Sequence, residues 1–160
     1  MSNHRAEIAW RRAADERFVD SKYSRAHQWK FDGGATVAAS SAVSSVPLPY
    51  SKAENVDPEE ALVAAVASCH MLMFLYLAAR AGLVIDAYSD QAVGILESDT
   101  HGRRSITAVK LLPAIVICGP VPPTDALMER LHHEAHEECY IANSVRSQIT
   151  VAGTWRYHPS

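Results

Sequence analysis

The sequence predicts an α+β fold, an antiparallel sheet carrying a long central buried helix and a second helix, and three observations predict it. Residues 61–79 form an uncharged stretch of 19 residues directly after a strong helix start. Residues 83–97 and 104–118 are β-branched and alternating, and the short polar linker 98–102 joins them as paired strands. A second amphipathic helix follows the break at 120–123, and a last strand over 148–155 closes the order strands, helix, two strands, helix, strand.

Each element has its own local cause. Residues 5–18 read equally well as strand or helix. Over 23–31 aromatic residues alternate loosely with polar ones, Asp32-Gly33-Gly34 forms a turn, and 35–41 returns, which is a hairpin pattern. Residues 46–56 are a loop fixed by Pro47 and Pro49. Asp57 is a helix cap, Pro58 fits the first helical position, and Glu59 and Glu60 add acids to the first turn. The helix is expected to end near Ala81-Gly82, where glycine can take the left-handed conformation. Thr124 and Asp125 start the second helix, which runs to Cys139 or Tyr140. Its apolar positions Leu127, Leu131, Ala135 and Cys139 recur every four residues, which turns Cys139 inward.

Length and composition limit the function classes. At 160 residues the chain is expected to be one domain over 1–160, large enough for a real core. A net charge of −3 gives no reason to expect nucleic acid or an anionic membrane as partner. The first residues lack the apolar core of a signal peptide, so a cytoplasmic location is expected. In that reducing compartment three cysteines point to chemistry or burial, not to a disulfide framework. Residues 61–79 approach the roughly 20 residues needed to cross a bilayer. Ser68, Cys69 and His70 stand at their middle, however, so a helix buried on most sides is the expectation.

Taken alone, Cys69 and Cys139 both read as small buried hydrophobes. Glu134, Glu137 and Glu138, if close to Cys139, would raise its pKa. His132 and His136 lie at i and i+4, with Cys139 three residues further, so this helix face, next to His133, could hold a metal. A fourth ligand would have to come from elsewhere. His70 points about 100° away from Cys69 on a helix and can line a pocket without acting as its base. Cys118 has no evident chemical partner and reads as structural. Met71, Met73, Phe74 and Tyr76 read mostly as packing. Any that wall a pocket around Cys69 would favour alkyl or lipid-like hydroperoxides.

The run Asp57-Pro-Glu-Glu-Ala-Leu-Val-Ala-Ala-Val-Ala-Ser-Cys69 resembles the OsmC/Ohr signature, in which Asn/Asp-Pro-Glu opens the central helix and a reactive cysteine follows ten residues after the glutamate. The context Cys139-Tyr-Ile-Ala-Asn-Ser144 is similar to that family's second cysteine, and the likeness extends from about residue 23 to 155. The resemblance implies an OsmC-like fold, an intertwined homodimer with active sites at its interface, and reduction of organic hydroperoxides without metal, flavin or other cofactor. It implies Cys69 as the peroxidatic thiol, Cys139 as the resolving thiol, and an external dithiol, of lipoyl type, as reductant. The family also uses an arginine from its first hairpin, held by the glutamate of the helix start. The usual Gly-Gly-Arg-Asp-Gly-like turn is absent here, and within Asp20-Ser-Lys-Tyr-Ser-Arg-Ala-His27 the cation is Arg25, with Lys22 as competitor. Glu59 fills the glutamate's place. Ten residues of straight helix separate it from Cys69 by about 15 Å and roughly 80°, so it would serve the site of a second subunit. Two further readings stand beside this one: a non-catalytic OsmC-like stress or binding domain, and a metal-binding protein built on His132, His136 and Cys139.

Overall fold

The computed structural model describes residues 1–159, and the chain forms two compact units, Met1–Ala61 and Leu62 onward. The first unit is a three-stranded antiparallel sheet in the order β1 (Ala6–Ala9), β2 (His27–Phe31), β3 (Thr36–Ala39). The stretch that read as strand or helix is settled by pairing, because Ile8 lies opposite Trp29 and Ala6 opposite Phe31. The β2–β3 turn closes as expected: the Gly34 amide donates to the Phe31 carbonyl at 2.9 Å, with Gly34 at φ +89°. Between β1 and β2, Trp10, Phe18 and Tyr23 gather into an aromatic cluster, with the Phe18 and Tyr23 rings stacked at 4.7 Å.

The long helix α1 (Pro58–Arg80) starts in a reciprocal cap. The Asp57 carboxylate accepts from the Glu60 amide at 2.8 Å, and the Glu60 carboxylate accepts from the Asp57 amide at 3.3 Å. It stops where the sequence says it should. Gly82 sits at φ +80°, and the Leu83 amide reaches back to the Ala78 carbonyl at 3.0 Å.

In the second unit the two long predicted strands are four: β4 (Val84–Asp90), β5 (Val93–Ser98), β6 (Arg104–Leu111) and β7 (Pro113–Gly119). They still form one long hairpin, β5 on β6 and β4 on β7, but both arms break at the same level. There the Asp90 carboxylate takes the Leu112 amide at 2.7 Å, and Pro113 has no amide to offer a ladder. The final predicted strand divides at the matching level, Ala152-Gly153, into β8 (Gln148–Val151) and β9 (Thr154–Pro159). Two three-stranded sheets result, β4-β7-β9 and β5-β6-β8. Their last strands run parallel to β7 and β6, a direction reached through the helical crossover α2 (Asp125–Glu138). Thr124 caps α2, its hydroxyl accepting from the Leu127 amide at 3.2 Å.

Helix α1 joins both cores of this unit. Phe74 and Ala78 pack with Ile115 and Ile117 of β7 and with Met128, Leu131 and Ala135 of α2. Val66 packs with Val109 and Leu111 of β6. The buried residues Val66, His70, Phe74 and Ala78 make a single stripe. Burial on most sides, the expectation for this helix, does not hold within one chain. Ala64, Ala65 and Ser68 are exposed, and Leu72 and Tyr76 are 61% and 56% exposed. The helix is long and apolar enough to cross a bilayer, but one face is committed to these cores.

Candidate active site

Two rungs connect α1 to the α2 region, formed by neighbouring residues of α1. The first is sulfur on sulfur. Half-buried Cys69 lies against Cys139, which is fully buried at the C-terminal cap of α2. The Cys139 sulfur accepts from the Ala142 amide at 3.3 Å, at the short 3-10 turn Ala142–Ser144. Burial first, and then the hydrogen bond Cys139 makes with Cys69, push its thiol up to about 11. The second cause fixes the sense of that bond: Cys139 keeps the proton and donates it to the Cys69 sulfur. Glu134, Glu137 and Glu138 do not contribute to this shift, contrary to the concern their sequence position raised. All three cysteines are free thiols.

The second rung is imidazole on imidazole. The His70 and His132 rings stack at 5.4 Å and 7°, with His70 Nε2 and His132 Nδ1 at 3.1 Å, and Phe74 lies against His132 at 4.4 Å. Burial holds both rings down at about 4, with His132 and His136 adding to the shift on His70. Both are therefore neutral at pH 7, and one donates to the other. This is where the sequence-based metal reading fails geometrically. His132 turns its Nδ1 to His70, and among the described residues no group of three or more His, Cys, Asp or Glu side chains is placed to hold a metal. His133 and His136 instead line a cavity of about 550 Å³ with His132 and Trp155. The pairing of His70 was not anticipated, although the Val66, His70, Phe74, Ala78 spacing signals an inward histidine that needs a partner.

The remaining candidates lie in the first unit or make local contacts. Arg25 has its guanidinium on the backbone carbonyls of Ser21, at 2.7 Å, and Tyr23, and stacks 3.8 Å over the Tyr23 ring. The half-buried Glu59 makes no ion pair among the described residues. Lys22 is exposed, its amide bonded to Asp20. Met73 and Phe74 go into the core, while Tyr76 is exposed beneath Arg80. Cys118 does have a partner: its thiol donates to Asp86 at 3.3 Å, and the other Asp86 oxygen meets His158 at 2.9 Å. Asp86 raises the Cys118 pKa, which keeps that thiol protonated.

With two thiols from separate helices side by side, the arrangement suits thiol–disulfide chemistry. The profile of the family described as OsmC-like protein matches residues 51–152. The chain belongs to the OsmC-like family. An OsmC-like protein of unknown function from Vibrio cholerae is 47% identical, superposes with a TM-score of 0.93, and is covered over its full length by 96% of this chain. Two organic hydroperoxide resistance proteins share the fold. The one from Elizabethkingia anophelis is 16% identical, with a TM-score of 0.70 and coverage of 99% of this chain and 98% of its own. OhrB of Bacillus subtilis is 16% identical, with a TM-score of 0.64 and coverage of 97% and 98%. Comparison with functionally curated proteins gives no match. In this OsmC/Ohr-family chain both cysteines of the first rung, together with the helix start that precedes Cys69, fall inside the matched region.

Proposed function

We propose that this protein is a two-cysteine peroxidase that reduces organic hydroperoxides. The observation that carries the proposal is the rung of Cys69 and Cys139, in which Cys139 holds its proton and Cys69 receives the hydrogen bond. Cys69, as thiolate, attacks the terminal oxygen of the hydroperoxide. The O–O bond breaks, the alkoxide leaves and takes up a proton as the alcohol, and Cys69 becomes a sulfenic acid. The Cys139 sulfur then displaces the hydroxyl, releasing water and forming the Cys69–Cys139 disulfide. An external dithiol, of lipoyl type, returns both sulfurs to thiols by exchange and leaves oxidised.

Burial disfavours a thiolate, and the imidazoles of the second rung are neutral, so a cation has to approach Cys69. Arg25 is our choice: its charge is permanent and its planar fork, already held on two carbonyls, is oriented. Glu59 orients that arginine in the assembled site. The assembly is a homodimer, supported by the apolar face of α1 that carries Leu72 and Tyr76 and has no cover in one chain. A cytoplasmic location, where the thiol pool keeps both sulfurs reduced, goes with this reading.

Steady-state turnover with cumene hydroperoxide and dihydrolipoamide tests it. We expect turnover that Arg25→Ala suppresses more than Lys22→Ala, faster with cumene hydroperoxide than with hydrogen peroxide. Equal rates for the two oxidants would remove the organic specificity. Thiols that survive an equivalent of hydroperoxide untouched would instead make the chain a non-catalytic binding domain of the same fold.

A further inference from the structure

A second pocket, away from both rungs, has the charge and shape of an anion site. It lies in the second unit, between the start of β6 and the segment that leads from the 3-10 turn into β8, and encloses about 720 Å³. That is within the range of roughly 300–1,000 Å³ typical of small-molecule sites. Three arginines border it: Arg103, Arg104 and Arg146. Arg103 is neutralised, its Nε on the Asp99 carboxylate at 2.9 Å. Arg104 and Arg146 make no ion pair among the described residues, although the chain as a whole is acidic at −3. The nearby carboxylate of Glu97 is occupied by the Thr107 hydroxyl.

The frame around these two guanidinium groups is preformed. The Ser147 hydroxyl donates to the Ile106 carbonyl at 2.6 Å, which ties the segment bearing Arg146 to β6. The Ser144 hydroxyl donates to the Tyr140 carbonyl at 2.7 Å and holds the preceding turn. At the other rim, Asp99 takes the amides of His101 and Arg103, at 2.8 and 2.9 Å, and fixes the β5–β6 turn. Ser105 is exposed at the mouth, and Leu62, Ile106 and Val145 supply an apolar wall.

We propose that this pocket binds a small organic phosphate, with Arg104 and Arg146 on the phosphate oxygens and the organic part against Leu62, Ile106 and Val145. Two unpaired forks offer more donors than one carboxylate can accept, whereas a phosphate has three terminal oxygens and close to two charges. The recess and the acidic whole argue for a small molecule over a nucleic acid backbone, which needs an extended basic stripe. This site is independent of the thiol chemistry.

The test is titration of the full chain with ADP and with inorganic pyrophosphate, followed by backbone amide NMR shifts. We expect saturable shifts confined to residues 103–107 and 144–147, with ADP binding tighter than pyrophosphate because only ADP reaches the apolar wall. Arg104→Ser with Arg146→Ser, both on exposed side chains, is expected to weaken ADP by at least about tenfold, the loss of one charged hydrogen-bonded contact. Arg156→Ser, an exposed arginine on β9, is the charge control and leaves binding intact. Shifts that do not saturate at millimolar probe, that survive the double substitution, or that are no stronger for ADP than for pyrophosphate overturn the proposal.

Discussion

The two rungs between α1 and the α2 region are built from adjacent residues of one helix, yet the same burial acts on them in opposite directions. It lifts the Cys139 thiol to about 11 and holds His70 and His132 at about 4. Both effects favour the neutral form. The lesson is that a histidine next to a reactive cysteine is no guarantee of a nearby positive charge. His70 faces the core and pairs with His132, a hydrogen-bonded packing element, while Cys69 faces Cys139. The imidazole rung is structural and the thiol rung chemical, and each can be broken separately.

Breaking the thiol rung has the largest effect. Cys69→Ser is expected to reduce hydroperoxide turnover to the uncatalysed rate in a coupled dithiol assay. Cys139→Ser is expected to permit one attack and then leave a sulfenic acid at Cys69, visible by mass spectrometry as a dimedone adduct.

Breaking the imidazole rung changes stability and leaves turnover in place. Both histidines have native values near 4 against an ordinary 6.5, so between those values the unfolded chain binds more protons than the native one. Their contribution is complete above about pH 6.5 and is lost as pH falls toward 4. Allowing for the solvent that still reaches His132, the loss is on the order of 2–4 kcal/mol for the pair. Urea unfolding across that window measures it. His70→Gln, which keeps a hydrogen-bonding group but does not titrate, is expected to flatten the slope and retain peroxidase activity.

Two substitutions sharpen the contrast by disturbing the helices away from the rungs. A β-carbon at Gly94 would lie 2.5 Å from Val63 Cγ2, so Gly94→Ala presses on the first turns of α1 and is expected to cost about 1–3 kcal/mol in urea unfolding. Thr124→Ala removes the α2 cap and is expected to cost about 1 kcal/mol. It acts at the far end of α2 from Cys139, and thiol reactivity is expected to stay intact.

The sequence made the local devices legible, because each depends on neighbours in the chain. The Asp57–Glu60 cap, the Gly82 stop, the Thr124 cap and the inward face of α2 are all as the residues predict. What it left open depends on residues far apart. The break shared by the β4–β7 and β5–β6 arms is set by Asp90 reaching Leu112 across 22 positions. The parallel course of β8 and β9 follows from where the α2 crossover returns the chain. The same distinction runs through the candidate site. Cys69 and Cys139 were recognisable from their contexts, but His70 meeting His132 across 62 positions, and Cys118 meeting Asp86 across 32, were not. The exposed apolar face of α1 marks the other limit, since the residues that would cover it lie outside a single chain.

The central claim is tested most directly by mapping disulfides in reduced protein after one equivalent of cumene hydroperoxide. The account predicts loss of two thiols per chain and one peptide pair joined through Cys69 and Cys139 of the same chain, with Cys118 still free. Recovery of both Cys69 and Cys139 as thiols, or a bridge that uses Cys118 instead, would contradict it.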